Sequence, residues 1–297
     1  MPRIDAHVHV FKKDCAEFPR ESNDLAPPER EAPVERLLDT MEANRIDQAV
    51  LVQFGGAHYE QHAYLLHCLE RYPDRFRGIG LIPDDVVRTP EDHMDRLVDD
   101  TGIIGFRLKT LGGPADAFED IDVRSFASYP IWRHAAEKNY VLWLYVRAAD
   151  AFQIPYLIEA FPQVRVVLNH LGVCPGEGKT SVDELGRPRH PLPGYQIETN
   201  STFRLYGYEN LTLLFSGHYA FSKEAYPYAD LSWASGFLFK IFGPERMMWA
   251  SDFPWPVDDP GYTELSNLVD ELLPDIGPAA RAQIMGDTAA SWLQFPG

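Results

Sequence analysis

The sequence is poor in cysteine and in positive charge, and it lacks any long apolar run. Three cysteines in 297 residues, Cys15, Cys68 and Cys174, stand far apart and are odd in number. No CxxC and no zinc-finger spacing occurs, which argues against a disulfide framework. Basic residues number 27 against 44 acidic ones, a formal net charge of −17. That argues against nucleic acid or an anionic membrane surface as the main partner. It leaves open an anionic small molecule held by a local basic pocket. No stretch reaches the ~18 apolar residues of a membrane-spanning helix. Asp5, His7 and His9 interrupt the first apolar run, so no leader is read there and a soluble, cytoplasmic protein is expected. GxGxxG after a strand, GxxxxGK[ST], GxSxG and HExxH are all missing, so no nucleotide cofactor is expected.

What is present is a repeat of short apolar runs separated by segments with helical spacing. Strands are expected at 3–10, 47–53, 76–82, 103–109, 141–147, 164–170, 211–216 and 246–251. Continuous apolar runs suit parallel strands covered on both faces. Val34, Leu37, Leu38 and Met41 follow the i, i+3, i+4, i+7 rule of a helix packed on one side. Similar segments follow at 58–71, 90–99, 130–138, 155–161, 233–242, 263–273 and 278–293. Eight such units without a composition shift predict one α/β domain over 1–297, a (β/α)8 TIM barrel. An open doubly wound sheet is the competing architecture. Trp233, Phe237, Phe239 and Phe242 lie at helical spacing and read as core, or as a face between subunits of a homo-oligomer.

Two connections are too long for ordinary loops, 12–33 and 172–208. Both follow the carboxyl end of a strand, where a barrel builds its active site. They read as substrate lids or as decoration.

The chemistry starts at Ile4-Asp5-Ala6-His7-Val8-His9-Val10-Phe11. On a strand, His7 and His9 share a face and offer half of a divalent-metal site. Closing a barrel sets the last strand beside the first, so Asp252 in Ala250-Ser251-Asp252-Phe253 comes near them. His170 ends the sixth strand, as a third ligand, a neutral acid/base or a loop-holding residue. Arg107 and Lys109 alternate on one face of the fourth strand. Two inward cations need carboxylates, from the site or from a substrate; a Lys109 turned outward would be an ordinary surface residue. Tyr145 and Arg147 share a face on the fifth strand, His218 follows the seventh, and Trp255 beside Pro256 would wall the pocket.

With these residues placed, the chain resembles the amidohydrolase superfamily, and within it amidohydrolase family 2. IDAHVHVF and FGPERMMWASDFPWP carry the resemblance; GIIGFRLK, FPQVRVVLNHLG, NLTLLFSG and IMGDTAASWL support it. The pattern is closest to its pyrone-dicarboxylate and sugar lactonase branch. The resemblance implies a hydrolase opening a carboxylate-bearing lactone, with Asp252 and His170 catalytic. It implies His7, His9, His170 and Asp252 as the polar or metal centre and Arg107 as a substrate contact; Lys109, Tyr145, Arg147, His218 and Trp255 join the substrate side by their strand positions. Two-metal members add a carboxylated lysine and a histidine on the fifth strand. Tyr145 stands there instead, so one divalent metal, zinc foremost, or none is expected. A metal-dependent decarboxylase of an aromatic or unsaturated acid is the alternative. A binding-only barrel would need a broken triad, and no piece is missing.

Overall fold

The computed structural model describes residues 2–99, 101–114, 121–172, 180–190 and 205–295. Among the described residues ten strands occur in chain order: β1 Ile4–Val8, β2 Gln48–Val52, β3 Phe76–Leu81, β4 Ile103–Leu108, β5 Val141–Leu144, β6 Val166–Leu168, β7 Ser181–Val182, β8 Pro188–Arg189, β9 Leu211–Phe215 and β10 Met247–Trp249. Eight of them form one sheet in the order β1-β2-β3-β4-β5-β6-β9-β10, every pair parallel. β7 and β8 form a separate antiparallel pair within the long connection after β6.

Helices cross back between the strands, as parallel pairing requires. They include Val34–Ala43, Ala63–Arg71, Glu91–Val98, Tyr129–Lys138, Ile154–Ala160, Ser232–Phe242 and Tyr262–Leu272. This is the (β/α)8 barrel that the apolar pattern predicts. Several strands are shorter than their apolar runs. The ladder nonetheless continues past the ends of β5 and β6, where the Tyr145 N–H donates to Leu108 O at 2.9 Å and the Asn169 N–H to Leu144 O at 3.0 Å. Among the described residues no helix is long and apolar enough to cross a membrane.

The two edges of the sheet meet through a few directed bonds. His9 N–H donates to Phe253 O at 2.7 Å, and Asp252 N–H donates to His7 O at 3.1 Å. Asp5 is fully buried beside this seam. Its carboxylate accepts from Ser251 N–H at 2.9 Å and from the Tyr262 hydroxyl at 2.6 Å.

Strict alternation does not hold along β1 or β4. Asp5 pairs with Ala49 but Val8 with Leu51, so β1 carries one extra residue between them. β4 gains one likewise, where Gly78 and Ile79 pair with Ile103 and Gly105. Ile4 and Ala6 belong to the apolar cluster inside the barrel, whereas Val8 packs outside against the helices. The irregularity therefore turns His7 and His9 inward. That in β4 does the same for Arg107, leaving Phe106 and Leu108 outside. Bulges of this kind re-aim side chains next to active sites.

Helix Ser232–Phe242 keeps Phe242 in the core and packs Phe237 and Phe239 against it, but corrects the core reading of Trp233. Ala234, Ser235, Leu238 and Phe242 form its buried stripe. Trp233 lies off that stripe, 57% exposed, and stacks on Phe237 at 5.2 Å. A helix packed on one side can bury only one face, however apolar the rest is.

The connection 12–33 is held from within by Arg20. Its guanidinium donates to the carbonyls of Lys12 at 2.8 Å, Ala26 at 2.8 Å, Pro27 at 2.7 Å and Arg30 at 3.0 Å. It also lies over the Phe11 ring at 5.2 Å.

Asp5→Ala is expected to lower stability by about 3 kcal/mol, because it strands buried donors from His7, Ser251 and Tyr262. A fall in the denaturant midpoint at unchanged slope is the readout. Arg20→Met is expected to leave the barrel folded but to raise the rate of proteolytic cleavage within 12–33 by at least about tenfold.

Candidate active site

Four side chains converge at the carboxyl ends of the first, sixth and last barrel strands. His7 and His9 project from the β1 end, His170 opens the turn after β6, and Asp252 follows β10. All are nearly solvent-free, at 0%, 4%, 5% and 3% exposure. Asp252 Oδ1 lies 3.7 Å from His7 Nε2 and 3.8 Å from His9 Nε2. Asp252 Oδ2 lies 3.7 Å from His170 Nε2. The two Nε2 atoms of His7 and His9 are 3.3 Å apart.

The backbone is strained where these groups are presented. His170 and Asp252 both have left-handed φ, 42° and 60°. Non-glycine residues in that region cost free energy and cluster at functional sites. Gly217 makes room for the first of them. A Cβ there would fall 2.6 Å from that of His170.

Burial sets the protonation of the cluster. It holds His7 and His170 well below the ordinary imidazole range, and neighbouring histidines and Arg107 act in the same direction. It pushes His9 down to about 3, with Arg107 adding to the effect. Asp252 is pushed up to about 7 by burial, against the Tyr219 hydrogen bond and Arg107, which both pull it down. At neutral pH the imidazoles are therefore neutral and keep a lone pair each.

His7, His9 and Asp252 offer three ligand atoms within 4.8 Å of one another, close enough to share a metal ion. Four ligands on a tetrahedron with bonds of ~2.0–2.1 Å stand roughly 3.4 Å apart. The observed separations lie near that value. His9 also matches in its second nitrogen, since Nδ1 meets Val52 O at 2.8 Å, the carbonyl partner usual for a ligating histidine.

Beside the cluster opens a cavity of about 950 Å³. Arg107, Lys109, Tyr145, Arg147 and His190 line it, together with Glu21 and Ser22 from the 12–33 connection. Phe54 also lines it and packs on the His9 ring at 5.5 Å, so cavity and cluster adjoin. Arg107 lies over the Tyr145 ring at 4.8 Å, and its Nε is buried without a partner. Lys109 is exposed at the mouth. Arg147 is exposed and pairs with Asp150 through two bonds, at 3.1 and 3.2 Å.

Two expected site residues lie elsewhere. His218 is buried between Phe215 and Tyr228, with Nε2 3.2 Å from Ser235 Oγ, and it does not line this cavity. Trp255 packs on His9 at 6.0 Å and on Phe54 at 5.3 Å and does not itself line the cavity.

Four contacts have no counterpart in the sequence reading. The Tyr219 hydroxyl donates to Asp252 Oδ2 at 2.6 Å. Tyr145 Oη lies 2.8 Å from His190 Nε2, and His190 Nδ1 lies 3.2 Å from Thr180 Oγ1. Trp143 Nε1–H donates to His7 Nδ1 at 3.1 Å. Of these, only Trp143 left a signal, since it shares strand parity with Tyr145. His190 and Thr180 come from the connection after β6, of which 173–179 and 191–204 lie outside the described residues.

The family profile described as amidohydrolase matches residues 4–295. D-galactarolactone isomerase of Agrobacterium fabrum (strain C58) is 23% identical over 209 residues, which cover 70% of this chain and 62% of that protein. An amidohydrolase from Burkholderia multivorans with bound zinc superposes with a TM-score of 0.73 at 21% identity, covering all of both chains. A probable 2-pyrone-4,6-dicarboxylic acid hydrolase from Acinetobacter baumannii, with citric acid bound, gives 0.72 at 20% identity, covering 99% of this chain and all of that one. These structures share the barrel, and with a family match running almost from end to end, the chain belongs to the amidohydrolase family.

Proposed function

We propose that this protein is an enzyme that hydrolyses a lactone bearing a carboxylate. The observation that carries the reading is Arg107. It is a half-buried cation lining the cavity, its Nε enclosed without a partner, and among the described residues it makes no ion pair. An enclosed guanidinium N–H without a partner is costly unless an anion completes it, and the planar fork suits a carboxylate. Lys109 at the mouth adds a second positive charge for the same group. The names of two similar proteins fit this class: one acts on galactarolactone, the other on a pyrone dicarboxylic acid.

In this mechanism Asp252 is the general base. A carboxylate pushed up to about 7 is matched to proton transfer near neutral pH. Asp252 takes a proton from water as the water oxygen bonds to the lactone carbonyl carbon. The tetrahedral adduct collapses, the ring C–O bond breaks, and the ring oxygen takes the proton back as a hydroxyl. The product is an open hydroxy acid, which releases one proton to solvent as it ionises. Tyr219 holds one Asp252 oxygen and leaves the other for the water. Neutral His170, held from Ser216 at 2.9 Å, sets Nε2 3.7 Å from the Asp252 oxygen that Tyr219 holds. Tyr145, paired with His190, stands beside the carbonyl as a hydroxyl donor. A divalent ion, zinc by the nitrogen and oxygen donor set, would draw on His7, His9 and Asp252, whose ligand atoms lie within 4.8 Å of one another, with His170 beside them, and would polarise the carbonyl.

A panel of carboxylated lactones, followed by proton release, tests the reading. Release of CO2 from aromatic acids, with no lactone opened, would replace it by the decarboxylase alternative. Asp252→Asn is expected to lower kcat by roughly a hundred- to ten-thousand-fold; unchanged turnover would remove Asp252 as base. Arg107→Gln is expected to raise KM for a carboxylated lactone at least about tenfold, and far less for a neutral one. Equal effects on both would show that Arg107 does not hold the carboxylate.

A further inference from the structure

Two hydrogen bonds of fixed direction run through the histidine pair. Trp143 Nε1 lies 3.1 Å from His7 Nδ1. An indole nitrogen only donates, so His7 Nδ1 accepts and carries no proton. At the far end, His9 Nδ1 lies 2.8 Å from Val52 O. A carbonyl only accepts, so His9 holds its proton on Nδ1 and leaves Nε2 bare. The two Nε2 atoms face each other at 3.3 Å. A neutral His7 therefore carries its proton on Nε2, directed at the bare Nε2 of His9. Every donor in the row points the same way, from indole to carbonyl. Turning the His7 ring over would replace Nδ1 with a carbon. The Trp143 N–H would then be stranded among the apolar side chains inside the barrel.

We infer that Trp143 is a positioning residue that fixes His7 as an Nε2–H donor and so opposes metal ligation at that position. A histidine that binds a metal through Nε2 keeps its proton on Nδ1 and gives it to an acceptor. His9 has that arrangement and His7 has the reverse. Moving the His7 proton to Nδ1 would set two N–H groups against each other. Trp143 is fully buried, so it cannot swing aside to relieve them. Separation between donor atoms and hydrogen-bond direction thus give different answers at His7, and only direction distinguishes a ligand from a neighbouring donor. The inference holds whichever substrate the site takes, because it concerns the resting tautomer. What it assigns to His7 is to hold the bare Nε2 of His9 in place and to present an N–H on the Asp252 side, 3.7 Å from Oδ1.

The test uses the full chain, labelled with 15N and dialysed against a chelator. Long-range proton–nitrogen correlation reports the tautomer of each neutral imidazole, and His7→Gln identifies the His7 signals by their loss. The expected result is an unprotonated Nδ1 and a protonated Nε2 on His7. The opposite tautomer overturns the inference. Trp143→Phe then removes the donor and keeps a ring in the core. Zinc affinity, read by competition with a coloured chelator, is expected to rise at least about tenfold, within the range over which outer partners tune metal sites. A folded Trp143→Phe protein that binds zinc no more tightly than the parent also overturns it. If that variant fails to fold, the tautomer spectrum of the unaltered chain decides alone.

Discussion

The barrel depends on the seam between its first and last strands. Only a few directed bonds close it, and Asp5 supplies two of them with one buried carboxylate. The same seam sets Asp252 against His7 and His9, because the Asp252 N–H is itself bonded to the His7 carbonyl. Closure of the fold and assembly of the site are thus one event. Asp5 carries the burden in its own titration: burial pushes its carboxyl up to about 6, although four hydrogen bonds resist the shift. A group held this way stabilises by satisfying donors rather than by charge.

The site joins a buried cluster to an adjoining cavity. Inside, three neutral imidazoles and a carboxyl near neutrality lie in a low-dielectric space, where hydrogen-bond direction decides which nitrogen is free. Outside, Arg107 and Lys109 face a cavity that also carries the carboxylates of Glu21 and Asp84. A protein with net charge −17 still sets Arg107, Lys109 and Arg147 along the lining of one cavity, a local concentration of positive charge. Arg20 serves this arrangement indirectly. It stiffens the connection that brings Glu21 and Ser22 to the cavity wall.

Much of this was legible from spacing. HxH on a short strand places two imidazoles on one side, and the closing of a barrel brings Asp252 to them. His170 and Tyr145 follow from strand ends and parity, whereas parity pairs Arg107 with Lys109 without saying which face they take. His218 occupies an equally plausible strand end, yet its turn folds it back between Phe215 and Tyr228. Tyr219, its neighbour, reaches Asp252 instead. A one-residue difference after a strand end reverses which side chain enters the site, and periodicity does not resolve it. His190 and Thr180 come from a connection with no apolar period, where pattern carries no information.

The sequence by itself determined the eight strands, the helices between them and the types of group gathered at one end of the barrel. These follow from apolar periodicity and chain order, which are local properties. The tertiary structure alone decided the two register irregularities that turn His7, His9 and Arg107 inward. It also decided the exposure of Trp233 and the direction of each hydrogen bond at the histidines. Those depend on which groups from distant segments meet: an indole from β5 at one nitrogen of His7, a carbonyl from β2 at one nitrogen of His9. Spacing along a strand says which face a histidine occupies, but only its neighbours across the barrel fix where its proton sits.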